Sequence, residues 1–253
     1  MIHFNSSFYK SPDATPTKAV ETDKTRVEVT DQFDTPEHLR KVPSHEVAYT
    51  KLRDMILFGQ LTPGQSVTIQ GLTDLLGTGM TPVREAIRKL TAEGALDFQG
   101  NRRVCVPHLS SAQLDELAFA RLTIEPRLVE MAAQRLTTKQ IADLVVIDIA
   151  INDAIQDGDV PRYLLHNHMF HFSLYKTADA PILLSITHSL WLRFGPSLRV
   201  VCGRFGTSNL PDRHEQALAA MHRRDTATLA SAMRQDIQQG IDLVRQSVEQ
   251  TRI

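Results

Sequence analysis

The chain has 253 residues, enough for one large domain or two small ones. Hydrophobic residues make up 42% and charged residues 23%, which is the composition of an ordinary folded protein and excludes a disordered one. The formal net charge of −1 excludes a global basic field, so any contact with nucleic acid must depend on local residues. Two cysteines, no long apolar run and no signal-peptide pattern at the N-terminus together predict a cytoplasmic protein.

The N-terminal part of the chain divides into an arm and a first helix. Residues 1–43 are rich in Thr, Pro, Asp and Lys and have few large apolar neighbours, which predicts a flexible arm. Residues 44–58 are predicted to form a helix with Ser44 as its N-cap and Gly59 at its end. One stripe of this helix carries its apolar residues, Ala48, Leu52, Met55 and Ile56.

Two further helices follow, separated by a tight turn. The first is predicted over residues 69–76 and ends at Gly77. Its inward residues are expected to be Leu72, Leu75 and Leu76. Thr81 is predicted as the N-cap of the next helix and Pro82 as its first residue, where a missing N–H costs nothing.

The helix after Thr81 is predicted to present arginines on its outer face. Its apolar residues follow the i, i+3, i+4, i+7 spacing of a buried helical stripe: Val83, Ala86, Ile87 and Leu90. The opposite face carries Arg84, Arg88 and Lys89. This arrangement indicates a helix that is aimed at a partner, although a merely solvated face is the alternative interpretation.

A β-hairpin is predicted next. Apolar residues alternate on both sides of a turn signal at residues 99–101, and Arg102 and Arg103 lie near the tip. Three helices with a tight turn between the second and third, followed by a hairpin, predict a winged helix-turn-helix. In this motif, the N-terminal end of the third helix and the tip of the hairpin face DNA.

The segment 48–107 resembles the DNA-binding domain of GntR-type bacterial transcription regulators, with "TPVREAI" as its most specific part. This resemblance implies DNA contacts by the helix that starts near Thr81. The residues expected at the DNA surface are Gln70, Met80, Thr81, Arg84, Arg88, Arg102 and Arg103. Family members usually have a basic residue where Met80 stands, and several have an arginine where Gln70 stands. We therefore expect an operator that differs from the usual one.

The charge of this unit is low for a nucleic-acid binder. Residues 44–108, the expected DNA-binding domain, contain seven basic and six acidic residues, a net charge of +1. Such a balance predicts a homodimer that combines two small patches on an inverted-repeat operator, with an affinity that depends strongly on salt.

Residues 109–253 have a helical pattern almost throughout, which predicts an all-α bundle. Helix starts are expected at a capping box of Ser110 and Gln113, directly after Thr138, directly after Asp159 and after Asp225. The bundle resembles the ligand-binding FCD domain of the FadR branch of the GntR family. That resemblance implies a small effector, an organic acid by our interpretation, together with dimer formation through this domain.

A metal site is also implied by this resemblance. Family members have an Asp-x-x-Phe-His motif that binds a divalent metal, and the corresponding stretch here runs from Asn167 to His171. The two remaining family ligands are histidines on the last two helices, and their positions correspond to His214 and Asp236. Folding the last two helices antiparallel about residue 225 brings His214 and Asp236 to a common height. Two imidazoles and a carboxylate suit Zn, Ni, Mn or Fe.

Several alternatives remain open from the sequence. The four residues could form a polar cluster without a metal, or hold a metal that is purely structural. His171, His214 and Asp236 also match the two-His-one-carboxylate set of non-haem iron enzymes, so a metal-dependent enzyme is the rival function, although no catalytic motif supports it. Arg121 could anchor an effector carboxylate or pair with Glu125 one turn away. Trp191 and Arg193 could line the pocket or the dimer face.

Overall fold

The computed structural model describes residues 43–100, 102–205 and 213–250. The predicted arm lies outside the described residues except for Pro43, and Asn101 of the predicted turn also lies outside them. The N-terminal unit contains α1 (Ser44–Leu57), β1 (Ser66–Thr68), α2 (Ile69–Leu76), α3 (Met80–Ala92), β2 (Asp97–Phe98) and β3 (Arg103–Cys105). The C-terminal unit contains α4 (Ser111–Ala133), α5 (Thr138–Gln156), α6 (Val160–Lys176), α7 (Pro181–Phe205), α8 (Arg213–His222) and α9 (Thr226–Gln250).

The mainly helical architecture confirms the predicted fold class. The hairpin of β2 and β3 is present, and β1 joins it to give an antiparallel sheet of order β1-β3-β2. Thr68 pairs with Arg103 and Phe98 pairs with Val104. Strand β1 was not predicted, because three residues are too few to show an alternating pattern. Among the described helices, none is long and apolar enough to cross a membrane.

The start of α3 corrects one prediction. Gly79, in an extended conformation, is the N-cap, and the helix begins at Met80 rather than after Thr81. Thr81 and Pro82 therefore occupy the first turn. Pro82 is tolerated there because the first four N–H groups of a helix have no partner within the helix. Leu75 of α2 is also not inward as predicted, since it is 46% exposed.

The helix starts in the bundle follow the sequence closely. The capping box of Ser110 and Gln113 is formed, and Asp159 accepts a hydrogen bond from the backbone of Arg162. The cap of α5 is Thr137 rather than Thr138, because its hydroxyl accepts the N–H of Gln140, which closes a second capping box. These polar caps fix where each helix begins and hence which residues face the interior.

A continuous apolar core joins the two units. One buried cluster contains residues of α1 and α3 together with residues of the bundle, such as Leu128 and Trp191. A second cluster lies between α4, α7 and α9 and includes Phe194 and Ile241. Helix α7 contacts α1 on one side and α4, α6 and α9 on the others, so it lies where the N-terminal unit meets the bundle.

Candidate DNA-reading surface and metal site

The outer face of α3 carries two exposed arginines, Arg84 and Arg88. Arg84 is exposed and makes no hydrogen bond or ion pair with any other described residue. Arg88, one turn later, pairs with Glu85 at 2.9 Å, and both side chains are largely exposed. Residues four apart share a helix face. The two arginines therefore point the same way, with Arg84 nearer to the helix start.

The other residues predicted to contact DNA are also exposed. Met80 and Thr81 are exposed in the first turn of α3, and Met80 is 40% exposed. Gln70 of α2 donates from its amide to Asp74 at 2.9 Å, so it is held by its own helix. The wing is fixed through backbone: Arg102 adopts a positive φ of 59°, and its carbonyl accepts the N–H of Ile69 at 3.0 Å. Arg102 and Arg103 both have exposed side chains.

Three of the four predicted metal ligands converge inside the bundle. One ligand atom each of His171, His214 and Asp236 lies within 4.8 Å of the others. His171 Nε2 is 3.0 Å from one carboxylate oxygen of Asp236, and His214 Nε2 is 3.6 Å from the other. Asn167, one turn before His171, is buried and lines the same small cavity of about 30 Å³. The predicted set is thus gathered at one place.

The outer nitrogen of His171 is fixed by a chain of hydrogen bonds. The Tyr175 hydroxyl donates to a Glu125 carboxylate oxygen at 2.7 Å. With the hydroxyl proton directed to Glu125, the Tyr175 oxygen accepts from His171 Nδ1, 2.8 Å away, which corresponds to the tautomer with its proton on Nδ1. Burial and the Glu125 carboxylate raise the pKa of Tyr175 well above its usual value, which keeps the hydroxyl a donor. In the neutral ring, Nε2 therefore directs a lone pair into the site.

His214 has a similar outer partner. Its Nδ1 lies 3.4 Å from a carboxylate oxygen of Asp148 on α5, and its ring stacks on Phe170 with centroids 4.2 Å apart. An outer oxygen on each histidine, with the other nitrogen facing inward, is the usual arrangement around a protein-bound metal. Asp148 and Tyr175 were not predicted from the sequence. Asp148 did carry a signal, because it interrupts the apolar stripe of Leu144 and Ile151 on a buried face.

The inner atoms of the site present a buried imidazole nitrogen and a carboxylate to one another. His171 Nε2 is buried, lies 3.0 Å from an Asp236 carboxylate oxygen and makes no hydrogen bond to a described residue. A lone pair on Nε2 that faces an ionised carboxylate is repulsive unless a proton or a metal ion lies between the two atoms. Burial raises the pKa of Asp236, but His214, His171 and Arg121 outweigh it and lower the pKa to about 2, so the carboxylate is ionised. The donor set therefore suits a divalent metal.

Arg121 occupies the wall of this cavity but is already paired. Its Nε lies 2.5 Å from Glu125, and both side chains are buried. The guanidinium also packs against Trp191 and Phe194, 4.7 and 4.3 Å from the ring centroids. The intrahelical pair, the alternative offered by the sequence, is thus present. Trp191 lines the cavity, one of the two placements expected for it, and donates to Glu125 at 3.1 Å.

A winged helix-turn-helix joined to a helical bundle with a buried polar site defines a DNA-binding transcription regulator. Residues 45–106 match the model of the gntR family of bacterial regulatory proteins, and residues 116–239 match the FCD domain. The chain belongs to the GntR family and carries an FCD domain. These families are transcription regulators and not enzymes, which excludes the rival enzyme function.

Relatives agree in both sequence and structure. The HTH-type transcriptional regulator McbR of Escherichia coli (strain K12) is 28% identical over 77% of this chain and 90% of its own length. The HTH-type transcriptional repressor GlaR of the same organism is 25% identical over 79% of this chain and 95% of its own length. The solved structure of E. coli McbR/YncC superposes with a TM-score of 0.77 and 27% identity, covering 82% of this chain and 99% of that one.

Proposed function

We propose that this protein is a homodimeric repressor whose affinity for DNA depends on a divalent metal and a small organic acid in the helical bundle. The observation that carries the proposal is the convergence of His171, His214 and Asp236, with ligand atoms within 4.8 Å of one another. Each histidine also has an outer oxygen on its other nitrogen. Preparing two imidazoles in this way serves a bound ion and has no use in a plain core.

Residues 44–108 are proposed to bind DNA, and residues 109–253 to sense the effector and form the dimer. The exposed guanidinium of Arg84 near the start of α3, which has no partner among the described residues, supports direct contact with base edges in the major groove. Arg102 and Arg103 at the wing are placed to contact phosphates, which fix the register of the protein on the duplex. The net charge of +1 for residues 44–108 supports binding as a pair of units.

The metal would be held by His171, His214 and Asp236, with Asn167 beside them. When bound, the ion supplies positions to which the carboxylate of an anionic effector can bind, and Zn, Ni, Mn and Fe all suit these donors. The cavity of about 30 Å³ has room for one or two water molecules, so an organic acid enters only after side chains move. Arg121 would act as a wall and a second anchor through its remaining N–H groups. The repressor named among the relatives supports the sign of regulation.

Selection from a random DNA pool tests this function and identifies the operator sequence at the same time. Full-length protein loaded with Zn²⁺ should retain duplexes that share an inverted repeat, with half-sites about one helical turn apart. Sedimentation of the same sample should give a dimer. Recovered duplexes without symmetry, together with a monomer at micromolar concentration, would contradict the proposal.

A further inference from the structure

Helix α7 has two sets of residues that face different parts of the molecule. Trp191, Phe194 and Leu198, spaced i, i+3 and i+7, line the cavity beside the metal group. Trp191 is in direct contact with the site, because its ring centroid lies 4.9 Å from that of His171. A change in the contents of the cavity therefore acts directly on this side of α7.

The residues between them contact the DNA-binding unit. Arg193 Nε donates to the backbone carbonyl of Glu93 at 2.9 Å. A Cβ on Gly195 would lie 3.2 Å from the carbonyl oxygen of Leu57, so α7 and the end of α1 approach as closely as backbones allow. The Arg193 side chain thus contacts the end of α3 and does not line the cavity beside the metal group, one of the two placements that the sequence offered.

Glu93 lies at the C-terminal end of α3, so contacts with it restrain this helix. It is the C-cap residue of α3, directly after the last helical residue. Its carboxylate accepts the Tyr49 hydroxyl of α1 at 2.9 and 3.0 Å. The end of α3 is therefore fixed to α1 through a side chain and to α7 through the backbone, which sets its direction.

A second set of contacts connects the end of α1 to α7 through His168 of α6. Phe58 follows α1 and meets the His168 ring edge-to-face with centroids 5.7 Å apart. The His168 ring in turn contacts Trp191 at 5.4 Å. A cavity of about 290 Å³, lined by Gly94 and Arg193 among others, adjoins the Arg193 contact and leaves room for small movements. Packed helices in such surroundings can slide by small amounts.

We propose that α7 transmits the state of the metal site to the recognition helix, and that Arg193 is the residue that positions the end of α3. This inference rests on the proposed function of the site. Occupation of the site orders Trp191 and Phe194, which holds α7 in one position. Arg193 then holds the Glu93 carbonyl, and the end of α3 becomes less mobile.

Hydrogen exchange of the full-length chain tests the proposal against an independent report of binding. Trp191 is the only tryptophan in the sequence, so its fluorescence reports Zn²⁺ binding at the site. In the wild type, Zn²⁺ should alter this fluorescence. Relative to protein in EDTA, it should also slow amide exchange in residues 93–98 by about fivefold or more.

Two substitutions separate coupling from binding. Arg193→Met keeps the apolar stem but has no donor, so the Trp191 response should remain while the exchange response disappears. Arg193→Gln places an amide nitrogen where Arg has Nε, so it should restore a large part of the response. Arg127→Ala is the matched control, because Arg127 is exposed on α4 and pairs only locally with Glu130.

No Trp191 response in the wild type would overturn the proposed metal function, and the coupling with it. A Trp191 response without any change in exchange at residues 93–98 would overturn the coupling alone. An exchange response that persists in Arg193→Met would show that α7 acts on α3 without Arg193, which contradicts the role given to that residue.

Discussion

Arginines on the outer face of α3 are exposed, whereas Arg121 in the interior of the bundle is buried and paired. On α3, Arg84 has no partner among the described residues, and the Arg88–Glu85 pair is exposed to water. In the bundle, Arg121 and Glu125 are both buried, and the Glu125 carboxylate also accepts from Tyr175 and Trp191. A hydrated surface charge without a protein partner is available to a ligand, whereas a buried charge must be balanced within the protein.

Removing the two histidines should have the largest effect, because it takes away two of the three proposed metal ligands. The His171→Ala, His214→Ala double variant should contain close to no metal, against about one ion per wild-type chain. Metal analysis of protein purified without chelator or histidine tag measures this. A double variant that retains stoichiometric metal would show that the ion binds elsewhere.

The buried and exposed ion pairs should differ sharply in stability. Glu125→Ala leaves the Arg121 charge buried without its partner and should cost about 3–5 kcal/mol of unfolding free energy. Glu85→Ala removes the partner of Arg88 at the surface and should cost about 0–1 kcal/mol. Urea denaturation of both variants gives the two values. Equal losses would show that burial does not make the Arg121–Glu125 pair more important for stability than the Arg88–Glu85 pair.

The outer carboxylate on His214 should matter for metal affinity but less than the ligands themselves. Asp148→Asn weakens the hold on the His214 ring and should lower Zn²⁺ affinity by about 10- to 100-fold. Asp143→Asn serves as a control on the same helix, since Asp143 is exposed and pairs with Lys139. Competition with a chromogenic chelator measures both. An unchanged affinity in Asp148→Asn would mean that this contact is only structural.

Arg84 provides the corresponding test on the DNA side. Arg84→Ala should weaken binding to a selected duplex by about 1–3 kcal/mol and leave thermal stability unchanged. The Arg127→Ala variant, which removes an equal charge from the bundle surface, should bind DNA as the wild type does. Gel-shift titration at a fixed salt concentration compares them. The same loss in both variants would indicate a non-specific charge effect.

The sequence was most informative where one short segment carries the whole pattern. The capping box at Ser110, the end of α2 at Gly77 and the outward direction of Arg84 each depend on a few adjacent residues, and all three are found in the structure. Local propensity placed some helix starts one or two residues late, as at Ser44, where Pro43 is the N-cap and no side chain caps the helix, and at Thr81. There, the extended backbone of Gly79 supplies the helix start without any side-chain cap.

The bundle site could be predicted in part, because its residues come from several helices. His171, His214 and Asp236 were found through the family motif and the antiparallel pairing of the last two helices. The connection from His171 through Tyr175 to Glu125 could not be predicted, since 50 residues separate Glu125 from Tyr175 in the chain. The contact between Arg193 and Glu93 spans 100 residues and involves a backbone carbonyl, which no side-chain pattern records.

If α7 couples the bundle site to α3, the state of that site sets the affinity of α3 for DNA. The most direct measurement is the dissociation constant for a selected inverted-repeat duplex, at one salt concentration, with Zn²⁺ and with EDTA. We expect the two values to differ by about fivefold or more in the wild type and to coincide in the His171→Ala, His214→Ala variant. Equal affinities in the wild type, or a difference that survives in the double variant, would contradict this dependence of DNA affinity on the bundle site.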